Sequence, residues 1–171
     1  DTSTPATTIT YKFVDDDWSG LNGNGVDLTD GIWSGWEKAA FRTALDQWEN
    51  VANIEFVEVT GEAMMEEFLV ASGHTGTHQT PDSGVARGSY KTTDINWTQD
   101  NLNIGGTGFR TIVHETGHAL GLAHPHDTGG GSTIFPGLAG PEDAFSSGDN
   151  GLNNVLYTTM SYNVYEEQGT L

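Results

Sequence analysis

The 171 residues suffice for one domain with a substantial core and are too few for two of ordinary size. With 24 Asp and Glu against 6 Lys and Arg, a formal net charge of −18, most of the surface repels a phosphate backbone, which excludes nucleic acid as a partner. Cys is absent, so disulfides, thiolate metal sites, iron–sulfur clusters and cysteine nucleophiles are excluded, and any metal must sit on His, Asp, Glu, Tyr or backbone oxygen.

No stretch approaches the roughly 20 apolar residues of a membrane-spanning helix, so no membrane is expected as a partner. The sequence opens Asp1-Thr2-Ser3-Thr4-Pro5 without a basic and then apolar leader; the expectation is that any secretion signal or propeptide has been removed or lies outside it. Ile9-Thr10-Tyr11-Lys12-Phe13 alternates apolar and polar residues, the period-two pattern of a strand with one buried face. From Asp15 to Asp27 the chain is a polar loop rich in Gly and Asn. Asp15, Asp17 and Ser19-Gly20 imitate the start of a calcium loop, yet Val26 stands at the twelfth position, where a bidentate Glu belongs. A solvated turn is the favoured reading there, and Ca2+ the alternative.

Ser34-Gly35-Trp36-Glu37 has the Ser-x-x-Glu spacing of a capping box, and Phe41, Ala44, Leu45, Trp48 and Ala52 then recur at helical intervals, which predicts an amphipathic helix. Ile54 to Val59 and Met65 to Ala71 read as strands. Ser72 to Ser83, made of Gly, Thr, His and Pro, reads as a surface loop, followed by short extended pieces at Val85–Tyr90 and Asp94–Thr98. His74 and His78 in that loop have a spacing that could help hold a second metal, with a solvated loop as the favoured reading. Gly105-Gly106-Thr107-Gly108 breaks the chain before a second helix predicted over Phe109–Leu122. Beyond Gly121, the Gly-rich 128–131, Pro136, Pro141 and the Asp/Asn/Gly run at 148–151 predict a loop-dominated final third.

The informative string is His114-Glu115-Thr116-Gly117-His118-Ala119-Leu120-Gly121-Leu122-Ala123-His124. Residues four apart share a helix face, so His114 and His118 can present imidazole nitrogens to one ion about 2.0–2.1 Å away. A third ligand cannot come from the next helical turn at the right angle. Gly121 can adopt the left-handed conformation that turns the chain out of the helix, and His124 then closes the set. Three imidazoles leave a tetrahedral zinc one open position, as a catalytic ion requires. Glu115 lies about 100° round the helix from His114 and can face that position without binding the metal. In this reading a zinc-activated water attacks a peptide carbonyl while Glu115 takes its proton as general base and returns it, as general acid, to the leaving amine. His126 and Asp127 follow closely and are read as shaping the loop or binding solvent.

The string resembles the signature of the metzincin zinc proteases, His-Glu-x-x-His-x-x-Gly-x-x-His, which is followed downstream by a methionine-containing turn. Thr159-Met160-Ser161-Tyr162 resembles that turn. Pro125 directly after the third His, with Leu120-Gly121-Leu122-Ala123 and Met160-Ser161-Tyr162, is most similar to the serralysins, secreted bacterial endopeptidases. Matrixins, usually with Ser after the third His, and astacins, with Glu, are the runners-up. The sequence stops nine residues after Tyr162, ahead of the calcium repeats that serralysins normally carry, and leaves little room for the helix after the methionine turn. An excised catalytic part or a minimal, divergent member is expected.

The resemblance implies an α+β metzincin-type domain: a twisted, mixed five-stranded sheet with two long helices in an upper subdomain, 1–121, and a loop-rich lower subdomain, 122–171, with the substrate cleft between them. It further implies Met160 as an apolar floor beneath the histidines. Tyr162 becomes a residue that binds or approaches zinc and whose phenol swings off to stabilise the oxyanion. Val85-Ala86-Arg87-Gly88 is expected, by order in the chain, as the exposed edge strand that holds an extended substrate, with Arg87 either attracting an acidic group or forming a surface salt bridge. The expected function is that of a secreted, extracellular, monomeric zinc endopeptidase acting on proteins or peptides. The alternative is an acidic secreted binding module whose histidines hold a structural, non-catalytic zinc.

Overall fold

A computed structural model describes residues 4–15, 31–78 and 84–164. The chain divides into two units, Asp1–Ala119 and Leu120–Leu171. The first holds all the strands and α-helices among the described residues: strand β1 (Thr7–Phe13), helix α1 (Gly35–Glu49), strands β2 (Ile54–Glu58), β3 (Met65–Val70), β4 (Gly76–His78) and β5 (Ala86–Lys91), and helix α2 (Thr107–Ala119). The strands form one mixed sheet in the order β2-β1-β3-β5-β4. β1 pairs parallel with both β2 and β3, β3 pairs parallel with β5, and only β4 runs antiparallel, against β5. The fold is α+β, with two helices beside a five-stranded mixed sheet.

Each element follows from its residues. Tyr11 is the buried point of β1's alternation. β2 closes one edge of the sheet and keeps Glu55 and Glu58 at the surface, where charge discourages pairing with another chain. β3, flanked on both sides, buries Met65 and Glu67 to Val70. The capping box of α1 is formed: Ser34 accepts from the Glu37 N–H and Glu37 Oε2 accepts from the Ser34 N–H at 2.8 Å. The other oxygen of Glu37 accepts from the buried Trp97 indole at 2.7 Å, so one side chain caps the helix and anchors a distant loop. Phe41, Ala44 and Leu45 point into a core completed by Trp33, Met65, Leu69, Tyr90, Phe109 and Ile112. Trp48 donates to the Val113 carbonyl at 3.1 Å, tying α1 to α2.

Several boundaries depart from the pattern. α1 ends at Glu49 and leaves Ala52 exposed beyond it. The segment read as a plain loop, 72–83, contains β4, whose His78 is buried; three residues are too few to show a strand period, Gly is a poor strand former, and pairing with Tyr90, Ser89 and Gly88 decides the conformation. Asp94–Thr98 is a turn, because Asp94 Oδ1 accepts the Asn96 N–H at 2.8 Å. α2 begins at Thr107 and ends at Ala119. Gly108 lies inside it because a Cβ there would collide with the Asn96 carbonyl oxygen, so this glycine serves close packing rather than chain breaking. The candidate calcium loop, Asp17 to Val26, lies outside the described residues, as does 165–171. Asp15, its first position, accepts from the Trp33 N–H at 2.7 Å and pairs with Lys38 at 2.5 Å.

In the second unit the described residues form no strand and only three single-turn 3-10 segments. Side chains take over the hydrogen bonding that regular structure would provide. Asn153, fully buried, donates to the Ala144 and Ser146 carbonyls and accepts from Ser161 Oγ at 2.7 Å, while Asn163 donates to the Ser146 and Asn153 carbonyls. This network spans 144–163 and holds the loop-rich unit together.

Candidate metal centre

α2 buries Phe109, Ile112, Thr116 and Ala119 and carries His114 and His118 one turn apart, their rings edge to face with centroids 4.9 Å apart. Thr116 donates its hydroxyl back to the Ile112 carbonyl at 2.8 Å, which satisfies a buried polar group within the helix. Gly121 has φ +91°, the left-handed conformation expected at the helix exit. Across the eleven residues His114–His124, three imidazoles each offer one nitrogen, and these nitrogens lie within 4.8 Å of one another. Nitrogens around one tetrahedral zinc are separated by roughly 3.3 Å, so the set fits such an ion with small side-chain movements.

Glu115, between the two helical histidines in sequence, is buried, 7% exposed. β4 passes directly over it, for a Cβ on Gly76 would come within 2.9 Å of Glu115 Cγ. Burial, the largest influence, pushes its carboxyl up to about 7. The charge of His78 lowers it, that of Glu67 raises it, and a hydrogen bond from the His78 backbone N–H lowers it. Behind this contact His78 Nε2 lies 3.0 Å from Glu67 Oε1, both side chains fully excluded from solvent. Gly88 makes room for the pair, since a Cβ there would strike Glu67 Oε2 and His78. The reading of His78 as a solvated loop residue is therefore corrected: it is a core histidine satisfied by a buried carboxylate, and His74 remains at the surface.

The expected substrate strand is also corrected. Ala86, Arg87 and Gly88 belong to β5, which lies between β3 and β4, so β5 is an inner strand, and Val85 precedes it. Ala86 and Gly88 are buried, and Arg87 pairs with Glu66 at 2.9 Å. The antiparallel strand β4, which chain order alone hid inside a Gly/Thr loop, is the edge strand beside β5, at the opposite side of the sheet from β2.

In the second unit the Tyr162 ring lies 4.5 Å from that of His124 and 5.2 Å from that of His126, and Tyr162 is 43% exposed. Met160 is buried. Asp127, read from the sequence as shaping the loop or binding solvent, contacts the third histidine. Its Oδ2 lies 2.6 Å from His124 Nδ1 and its Oδ1 accepts the Gly129 N–H at 3.0 Å. Burial raises its carboxyl, but the Gly129 N–H and His124 outweigh this and hold it below the usual carboxylate value. The available signal was an acid three residues after the third histidine.

Residues 6–144 match the family model of the M10 peptidases, described as matrixin. Among curated proteins the chain is similar to serralysin of Photorhabdus laumondii, 29% identical over 74% of this chain and 26% of that protein. It is similar to serralysin C of Dickeya chrysanthemi, 39% identical over 60% of this chain and 24% of that protein. The chain thus spans about a quarter of the length of the curated relatives it matches. A solved structure of myroilysin is 18% identical and aligns over 72% of this chain and 52% of that one with a TM-score of 0.46. The family match encloses the whole histidine string and covers most of the chain, and on that ground the protein belongs to the matrixin family of M10 peptidases.

Proposed function

We propose that this chain is the catalytic domain of a secreted, extracellular zinc endopeptidase that hydrolyses peptide bonds in proteins. The observation that carries the proposal is the convergence of the His114, His118 and His124 nitrogens next to a buried carboxylate, Glu115, that is not one of the three ligands. A purely structural ion has no use for such a carboxylate. Family membership supports the same reading, and the resemblance to serralysins supports secretion. Among the described residues no helix is long and apolar enough to cross a membrane.

His114, His118 and His124 would hold the ion, which when bound would supply Lewis-acid polarisation of a carbonyl and a lowered pKa for water. Glu115 accepts a proton from the attacking water and passes it to the amine as the peptide bond breaks. Its burial favours proton uptake and so suits that shuttle, and the His78 N–H fixes the carboxylate's direction. Tyr162, beside His124, is a hydrogen-bond donor for the developing oxyanion. We place the extended substrate along the edge strand β4, where strand addition would align it through backbone hydrogen bonds.

Metal analysis of the purified chain beside a casein digestion, with and without a chelator, tests the proposal. The expected result is one zinc per chain, cleavage that stops on chelation and returns on adding zinc. Zinc bound without any cleavage of casein or of a peptide library would leave only the structural-zinc binding module standing.

A further inference from the structure

Besides the Tyr162 ring at 4.5 Å, His126 and Asp127 constrain the His124 ring. The His126 ring stacks on it, nearly parallel at 6° with centroids 5.0 Å apart, which sets the plane of the imidazole. Stacking leaves open which ring edge faces which way. That choice falls to Asp127, whose Oδ2 is 2.6 Å from His124 Nδ1, a length typical of a charge-assisted hydrogen bond. The carboxylate is itself pinned, because its other oxygen accepts the Gly129 N–H at 3.0 Å in the single 3-10 turn Gly129–Gly131. A carboxylate accepts and cannot donate, so Nδ1 carries the proton, and in the neutral imidazole Nε2 then keeps its lone pair for a metal.

His124, His126 and Asp127 also offer ligand atoms within 4.8 Å of one another. An ion held by Asp127 Oδ2 and His124 Nδ1 would have to displace the proton that joins them, so these groups serve better as support for one ion than as a second site.

We propose that Asp127 is a positioning residue: it locks His124 as the Nδ1–H tautomer and presents Nε2 to the ion shared with His114 and His118. The proposal rests on the zinc reading above and adds to it the reason the third ligand, which lies outside any regular element, is ready before metal arrives. Partners of this kind typically change metal affinity by roughly 10–100-fold.

The test uses the 171-residue chain as wild type, Asp127→Ala and Asp127→Asn, with two readouts. Zinc affinity is measured by competition with a chromophoric chelator, and the His124 tautomer is read by nitrogen-15 NMR of the metal-free protein. The wild type is expected to show a protonated Nδ1 and the tightest binding. Asp127→Ala is expected to lose that signature and to bind zinc roughly 10–100-fold more weakly. Asp127→Asn, whose amide oxygen can still accept from Nδ1–H, is expected to keep the tautomer and recover part of the affinity. An Asp127→Ala protein with unchanged tautomer and unchanged zinc affinity overturns the proposal while the zinc reading stands. A wild type that binds no zinc overturns the zinc reading, and the tautomer of the metal-free protein then still reports whether Asp127 orients His124.

Discussion

Glu67 and His78 face each other at 3.0 Å inside the first unit, with neither side chain reaching solvent, and the backbone of the same His78 donates to Glu115. Removing one partner of a buried hydrogen-bonded pair leaves the other unsatisfied, away from water. Glu67→Ala and His78→Ala are each expected to destabilise the fold by about 1–3 kcal/mol. The double variant Glu67→Leu/His78→Leu, which removes both partners and keeps apolar volume, should recover most of that loss. Urea midpoints of the four proteins check it; single variants as stable as the wild type would show that the pair is dispensable.

Glu115→Ala separates catalysis from metal binding. The variant should keep its zinc, because Glu115 is outside the ligand set, and lose cleavage by about 10²–10⁴-fold, the range for a removed general base. Zinc stoichiometry and hydrolysis of a quenched fluorescent peptide are measured side by side. Unchanged turnover refutes the proposed role; simultaneous loss of zinc makes Glu115 part of the metal set instead.

How much of this was legible from the residues depends on how local the determining interaction is. The capping box at Ser34 and Glu37, the two histidines one helical turn apart and the left-handed Gly121 are short-range features, and each is found where its spacing places it. β4 was hidden because Gly76, Thr77 and His78 carry no strand pattern; only pairing with Gly88–Tyr90, ten or more residues away, makes them a strand. The same blindness put the substrate edge on β5. Chain order says that two segments are neighbours, but not which one lies outside. Within the strand read over Met65 to Ala71 no local pattern announces that Glu67 is buried, because its partner His78 lies in another strand. The loop-rich second unit was the least legible, since Asn153, Ser161 and Asn163 hold it through side-chain hydrogen bonds that obey no period.

Alkaline pH should destabilise the fold through Tyr11. Its hydroxyl donates to Glu58 Oε2 at 3.3 Å, and burial first, then the Glu58 charge, push its pKa up to about 12, with Arg42 acting in the opposite sense. The unfolded phenol ionises near its ordinary value of about 10. Between about pH 10 and pH 12 the unfolded chain therefore holds fewer protons than the folded one, and stability falls as pH rises through that window. Tyr90, also raised well above the ordinary value by burial, extends the same trend. Tyr11→Phe should be less stable at neutral pH by about 1 kcal/mol and show a flatter alkaline limb in denaturation curves. An identical limb would remove Tyr11 as its source.

Tyr162 decides whether the phenol is a ligand or a donor to the reacting carbonyl. Its ring packs against His124 at 4.5 Å and against His126 at 5.2 Å, contacts that Tyr162→Phe retains, so this variant deletes the hydroxyl without loosening the third histidine. If the hydroxyl stabilises the oxyanion, turnover falls by about 10²–10³-fold while zinc affinity stays near the wild-type value. If it is chiefly a ligand, both fall together. Tyr162→Leu separates packing from hydrogen bonding, because it also removes the ring from His124 and should weaken zinc binding beyond the Phe variant. Turnover of a fluorogenic peptide and chelator competition on the same preparations give both numbers, and parallel losses in Tyr162→Phe would move this residue from the oxyanion to the metal.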